Sequence, residues 1–240
     1  MIPPASALGR AGLIAGLLYA GPALAQGPIV VPVSAVAPTM RPLVRVPTEA
    51  LDPAFRERVL KVMHQPTLSA RAAPEDLPLG IYTWLLDHPD RASLAWRRLG
   101  IPCAEITLRG DGTYGWSDGQ GTEVGWRTVA NMDDVRVWYA EGHTRLGPLL
   151  PMVPVRAVAV LHHVRQMGAD GRSVITHHTD VYVQTDSKAA AAVARLVGPT
   201  APRLAEQGAA QLLLFFSGLT RYFEQHPEDI GILLAEKRPN

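Results

Sequence analysis

Hydrophobic and polar positions change period twice along this chain of 240 residues. From 51 to 99 apolar residues recur at helical spacing, from 104 to 186 they alternate, and after 200 the helical period returns. Asp52-Pro53 gives a cap followed by proline at the first helical position, and Phe55, Val59, Val62 and Met63 share one face, so the spacing predicts a helix over 51–64. Residues 67–72 alternate as a strand would. Two short helices are predicted over 77–86, which presents Ile81, Trp84 and Leu85, and over 90–99, capped by Asp90 and ended by Gly100; His88-Pro89 separates them.

The alternating region begins with two hairpin signals. Segments 104–108 and 113–117 flank Arg109-Gly110-Asp111-Gly112, and segments 122–130 and 135–139 flank Asn131-Met132-Asp133-Asp134. Pro148, Pro151 and Pro154 interrupt 146–154, which predicts a loop or an irregular edge. Two long strands, 155–167 and 174–186, are then expected to pair about a turn at Asp170-Gly171. That register places Val158, Val160, His162, Val164, Ile175, His177, Thr179, Val181 and Val183 on one apolar face, and His163, His178, Asp180 and Tyr182 on a wetter one. Ser187 can cap a helical stretch over 188–197, which Gly198-Pro199 breaks. A long helix then runs to about Gln225, with Leu204, Gly208, Leu212, Phe215, Leu219, Tyr222 and Phe223 on one side; Ile230, Leu233 and Leu234 suggest a short terminal helix.

Composition narrows the function classes. A net charge of +1 without a Lys/Arg run gives no electrostatic footprint for nucleic acid or for an anionic membrane surface. Arg10, the apolar run 11–20, the Gly21-Pro22 break and Ala23-Leu24-Ala25 read as a secretory signal over 1–25. The apolar run is about half of the roughly 20 residues that a spanning helix needs. Export to a periplasmic or extracellular space is therefore expected, with Gln26 first in the mature chain and no stable membrane insertion after cleavage. Residues 26–50 are rich in proline and read as an extended tether. Cys103 is the single cysteine, so stability must come from the core; beside Pro102 and an apolar segment it reads as a small packed side chain.

A short strand, two short helices broken at Leu85-Leu86-Asp87-His88-Pro89-Asp90, an antiparallel run and a last long helix entered from Thr179-Asp180-Val181-Tyr182-Val183-Gln184-Thr185-Asp186 together resemble the helix-grip superfamily. That superfamily comprises START-like lipid-transfer proteins, polyketide cyclases and allergen-like binders. The resemblance rests on element order over about 67–225. It implies an α+β domain over 67–226, preceded by a separate helix over 51–66 and followed by a tail over 227–240, in which a curved antiparallel sheet of about six or seven strands wraps the long C-terminal helix. Ligands of such proteins lie between sheet and helix, which would make Val158, Val160, His162, His177, Thr179, Val181, Gly208, Leu212, Phe215, Leu219 and Tyr222 the lining of an apolar pocket.

Candidate chemistry is sparse. His162-His163 and His177-His178 lie on paired strands, where imidazoles can serve as metal ligands, and the expected register sets His163 opposite His178 near Asp180. No HExxH-type spacing accompanies them, and histidine on a wet sheet face is commonly a solvated residue, so no metal is assigned. His162 and His177 facing a pocket could orient a ligand or act as acid or base; the plainer reading is a core histidine bonded to Thr179 or to backbone. The glycine-rich segments 109–112 and 119–121 do not open a helix after a strand, and no GxSxG elbow is present. The expectation is an exported, cofactor-free protein holding an apolar small molecule or lipid. The alternatives are a cyclase-like enzyme on the same fold and a non-catalytic structural or interaction protein with a solid core.

Overall fold

A computed structural model describes residues 46–78, 80–119, 121–145, 152–167, 171, 173–185 and 201–235. The signal segment expected over 1–25, the expected tether up to residue 45 and the helical stretch expected over 188–197 lie outside the described residues. Helix α1 (Arg56–His64) is preceded by a 3-10 turn at Thr48–Ala50. Asp52 acts in the turn before it, its Oδ1 accepting the Ala54 N–H at 2.9 Å. Strand β1 (Leu68–Arg71) follows, then β2 (Glu75–Pro78), α2 (Tyr82–Asp87) and α3 (Pro89–Arg98). The expected helix over 77–86 is thus part strand: Leu77 and Pro78 pair with β8, because an edge partner satisfies the backbone there. Nor does Asp90 cap α3, whose N-cap is His88 with Pro89 at the first helical position.

The remaining strands are β3 (Ile106–Leu108), β4 (Tyr114–Ser117), β5 (Glu123–Asn131), β6 (Val135–Arg145), β7 (Met152–Met167) and β8 (Ser173–Thr185). Helix α4 (Ala201–Gln225) and short helix α5 (Ile230–Leu234) close the chain. All strand pairs are antiparallel, in the order β1-β8-β7-β6-β5-β4-β3, and β2 shares β1's side of β8. Eight segments therefore fill seven positions, and α4 packs on the sheet, the expected α+β helix-grip arrangement. Pro154 belongs to β7 rather than to a loop. It pairs with His143 of β6, while pairing to β8 starts only at Val155, so a residue without an N–H sits just past the two-sided ladder.

Both faces of the sheet are covered. Trp138, Leu161, Ile175, Val181 and Val183 pack against Ala209, Leu213, Phe216, Leu219 and Phe223 of α4, with Tyr82, Leu85 and Leu86 of α2 closing the same core. The opposite face carries Val137, Tyr139, Val158, Val160 and Tyr182, and α1 covers it with Val59, Val62 and Met63. A sheet buried on both sides has no wet face to alternate with, which removes the polar/apolar contrast used to set the register.

That loss matters at β7 and β8. A two-residue turn at Asp170-Gly171 would pair even-numbered residues of one strand with odd-numbered residues of the other. Observed pairing is Met167 with Ser173, Leu161 with Thr179 and Val158 with Tyr182, so even pairs with even. Pairing one residue away from the expected register puts the β7 side chains on the other face relative to those of β8. Val158, Val160 and His162 accordingly lie away from α4, whereas Ala157, Ala159, Leu161 and His163 share its side with His177, Thr179, Val181 and Val183.

Candidate functional site

Beneath α4 the sheet carries a polar network, buried at Tyr82, His177 and Ser217 and reaching solvent at Glu75 and Arg221. Glu75 of β2 pairs in register with His177 of β8, so both side chains leave the sheet together. Tyr82, the first residue of α2, reaches down to them: its hydroxyl lies 2.5 Å from His177 Nδ1, and the rings meet edge-on with centroids 5.2 Å apart. Ser217 and Arg221 stand one turn apart on α4. Ser217 Oγ donates to Glu75 Oε2 at 3.2 Å, Arg221 Nη1 pairs with Glu75 Oε1, and Arg221 Nη2 donates to the Asp76 carbonyl at 2.9 Å. His177 Nε2 points at Glu75 Oε2 at 3.4 Å.

Each partner sets the state of the next. The approach of His177 and the charge of Arg221 hold the Glu75 carboxyl below its ordinary range, against the upward push of its partial burial. Burial drives the Tyr82 phenol strongly upward, which keeps its proton in place to be donated. With that proton on Tyr82, His177 Nδ1 accepts and Nε2–H faces Glu75. Next to this network, His163 pairs in register with His177 and is also buried; burial, followed by the charge of Arg136, holds its imidazole below the ordinary value. Arg136 itself is buried, with its Nη1 2.8 Å from Asp87 Oδ1.

Tyr82 and His177 are fully enclosed. An acid or base must come within hydrogen-bond reach of a substrate atom, and these two are spent on each other. Chemically the network is a clamp that fastens β2, α2 and α4 to β8. His177 is the core histidine that the plainer reading anticipated, but its partners are Tyr82 and Glu75; Thr179 donates instead to the Val160 carbonyl at 3.1 Å.

Open space lies one turn farther along α4. A recess of about 430 Å³ opens between the end of β2, the start of α2, the start of β8 and the end of α4. Leu77, Pro78, Ile81, Val174, Phe223 and Ile230 form its apolar wall, and Asp76, Ser173, Thr220 and Glu224 its polar groups. None of the eleven positions expected from sequence borders it. Of those, His177, Thr179, Val181, Phe215 and Leu219 are buried in the core, as is Gly208, while Leu212 and Tyr222 are partly buried. Phe216, not singled out by the helical pattern, stacks on Trp138 with centroids 6.0 Å apart and fills space between helix and sheet. Glu75, Tyr82, Ser217 and Arg221 were missed because nothing in their spacing unites residues so far apart in the chain.

A second polar group sits on the α1 side of the sheet. His162 is opposite His178, not His177, and the two rings stack at 4.7 Å with planes 14° apart. Asp180 is buried on the same face and receives Arg71 Nε at 2.5 Å and Nη2 at 2.8 Å.

No family model matches the chain, and no curated protein matches it. Among solved structures it is similar to a conserved protein from Geobacillus kaustophilus, at 15% identity over 66% of this chain and 96% of that one, with a TM-score of 0.40. It is also similar to an uncharacterized protein from Rhizobium leguminosarum, at 10% identity over 61% of this chain and 96% of that one, with a TM-score of 0.27.

Proposed function

We propose that this chain is an exported binding protein of the START-like helix-grip kind, and that it seats an apolar small molecule or lipid chain in the recess beside β2, α2 and α4. The observation that carries this reading is the recess itself. Its volume, about 430 Å³, falls in the range of small-molecule sites, and apolar walls with a few polar groups at the margin are the usual composition of such sites. The cyclase-like alternative has less support, since the best-organised acid/base group, Tyr82 with His177, is sealed from the recess side and from solvent. Export rests on the Arg10 to Ala25 pattern; among the described residues no helix is long and apolar enough to cross a membrane.

Native mass spectrometry of the mature protein purified from its own host tests the binding reading, together with an Ile81→Trp variant. A tryptophan at the recess wall, where Ile81 borders both the recess and the edge of the α4 core, adds volume there, and a circular-dichroism melt checks that the variant keeps the fold. Co-purified apolar ligand that falls at least several-fold in occupancy in the variant is the expected result. An empty wild-type protein that also fails to take up fatty acids or apolar dyes would overturn the proposal. N-terminal sequencing of the same material should begin at Gln26.

A further inference from the structure

We propose that His162, His178 and Asp180 form a divalent transition-metal site, of the kind that takes Zn²⁺, on the α1 side of strands β7 and β8. One donor atom from each of the three lies within 4.8 Å of the others. Donors roughly 2.0–2.2 Å from one ion can be at most about 4.4 Å apart, so the three side chains draw slightly closer to share it. The strands supply the rigidity: His162 and His178 are register partners, and Asp180 is two residues along β8 on the same face.

His162 Nε2 is buried and has no hydrogen-bond partner among the described residues, a cost that a ligand would remove. Asp180 is oriented by Arg71 through two hydrogen bonds, as a ligating carboxylate usually is by its neighbours. A carboxylate has about four lone-pair positions, so two remain for a metal. Two imidazoles and one carboxylate would supply three corners of a tetrahedron once the stacked rings turn to aim both lone pairs at one ion. The fourth would be left to water or an exogenous ligand. The positive charge of Arg71 works against a cation and places the site among those of moderate affinity.

The observed register is what creates this site. With His163 opposite His178, the pair expected from sequence, His162 would lie on the other face. The proposal is independent of the recess and of the binding function argued from it.

The test uses the untagged mature chain, stripped with chelator and titrated with Zn²⁺ by calorimetry and with Co²⁺ by visible absorption. One equivalent per chain is expected, with affinity falling at least about 10-fold in His162→Gln and in His178→Gln. His163→Gln, which changes the histidine on the opposite face, should bind as wild type does. Imidazole nitrogen NMR of the unmodified chain provides a reading that needs no variant: two histidine rings should shift on adding Zn²⁺, assigned to 162 and 178. Absence of saturable binding, binding that survives both glutamine substitutions, or shifts confined to other histidines would overturn the proposal.

Discussion

Tyr82→Phe offers the sharpest test of the buried clamp, because it deletes one oxygen and little else. The ring of Tyr82 keeps its packing against His177, but Nδ1, 2.5 Å from the lost hydroxyl, is left in a fully buried position without a donor. Leaving a buried polar atom unpaired costs about 1–3 kcal/mol, more than the net worth of the bond itself. His177→Leu has the converse effect: Tyr82 Oη is orphaned at a similar cost, while Glu75 keeps Ser217 and Arg221. In the double variant neither side chain carries an unpaired atom. Its destabilisation should therefore fall short of the sum of the singles by about 1–3 kcal/mol, a coupling well above the roughly 0.3–0.5 kcal/mol scatter of independent sites. Urea unfolding followed by tryptophan fluorescence reads this directly, provided the dependence on denaturant stays constant across the four proteins. Additive single effects would refute the reasoning, and so would a Tyr82→Phe protein as stable as wild type.

Three further outcomes are expected. The carboxyl of Glu75 is held low in the folded state, so its stabilising contribution is present above the ordinary value of 4.5 and is lost as pH falls through the depressed folded value; Glu75→Gln should flatten the acid limb of a stability-against-pH curve, and an unchanged limb would contradict the assignment. Gly142→Ala should destabilise by about 1–3 kcal/mol or more, measured as a lowered urea midpoint, because the added Cβ would run into the Glu123 carbonyl oxygen and lie 2.8 Å from Val124 Cα, both backbone of the paired strand β5. Burial raises the Cys103 thiol, so alkylation of the native protein at pH 8 should be slower than that of the unfolded chain; equal rates would place this residue in a different environment.

Local pattern alone determined most of the elements. Alternation and turn residues located β3, β4, β5, β7 and β8 to within about three residues and the start of β6, whose last six residues they left out; helical spacing with Pro89, Gly100 and Pro227 marked α3, α4 and α5, because these signals depend only on neighbours in the chain. The order of those elements was enough for the helix-grip arrangement. Tertiary structure decided three things that neighbours do not encode. Leu77 joined a strand, although it sits in a helical pattern, because the edge of β8 had backbone groups to pair. Val158 and Val160 faced α1 because an N-terminal helix covered the second face of the sheet, and pairing one residue away from the expected register reversed the side of every β7 side chain. The same shift brought His162, rather than His163, to His178. Glu75, Tyr82, His177 and Arg221 meet across 146 positions of chain, from 75 to 221, because β2, α2 and α4 pack beside β8. Period is a local property and can be read from the sequence; register and long-range proximity are set by which surfaces must be buried together.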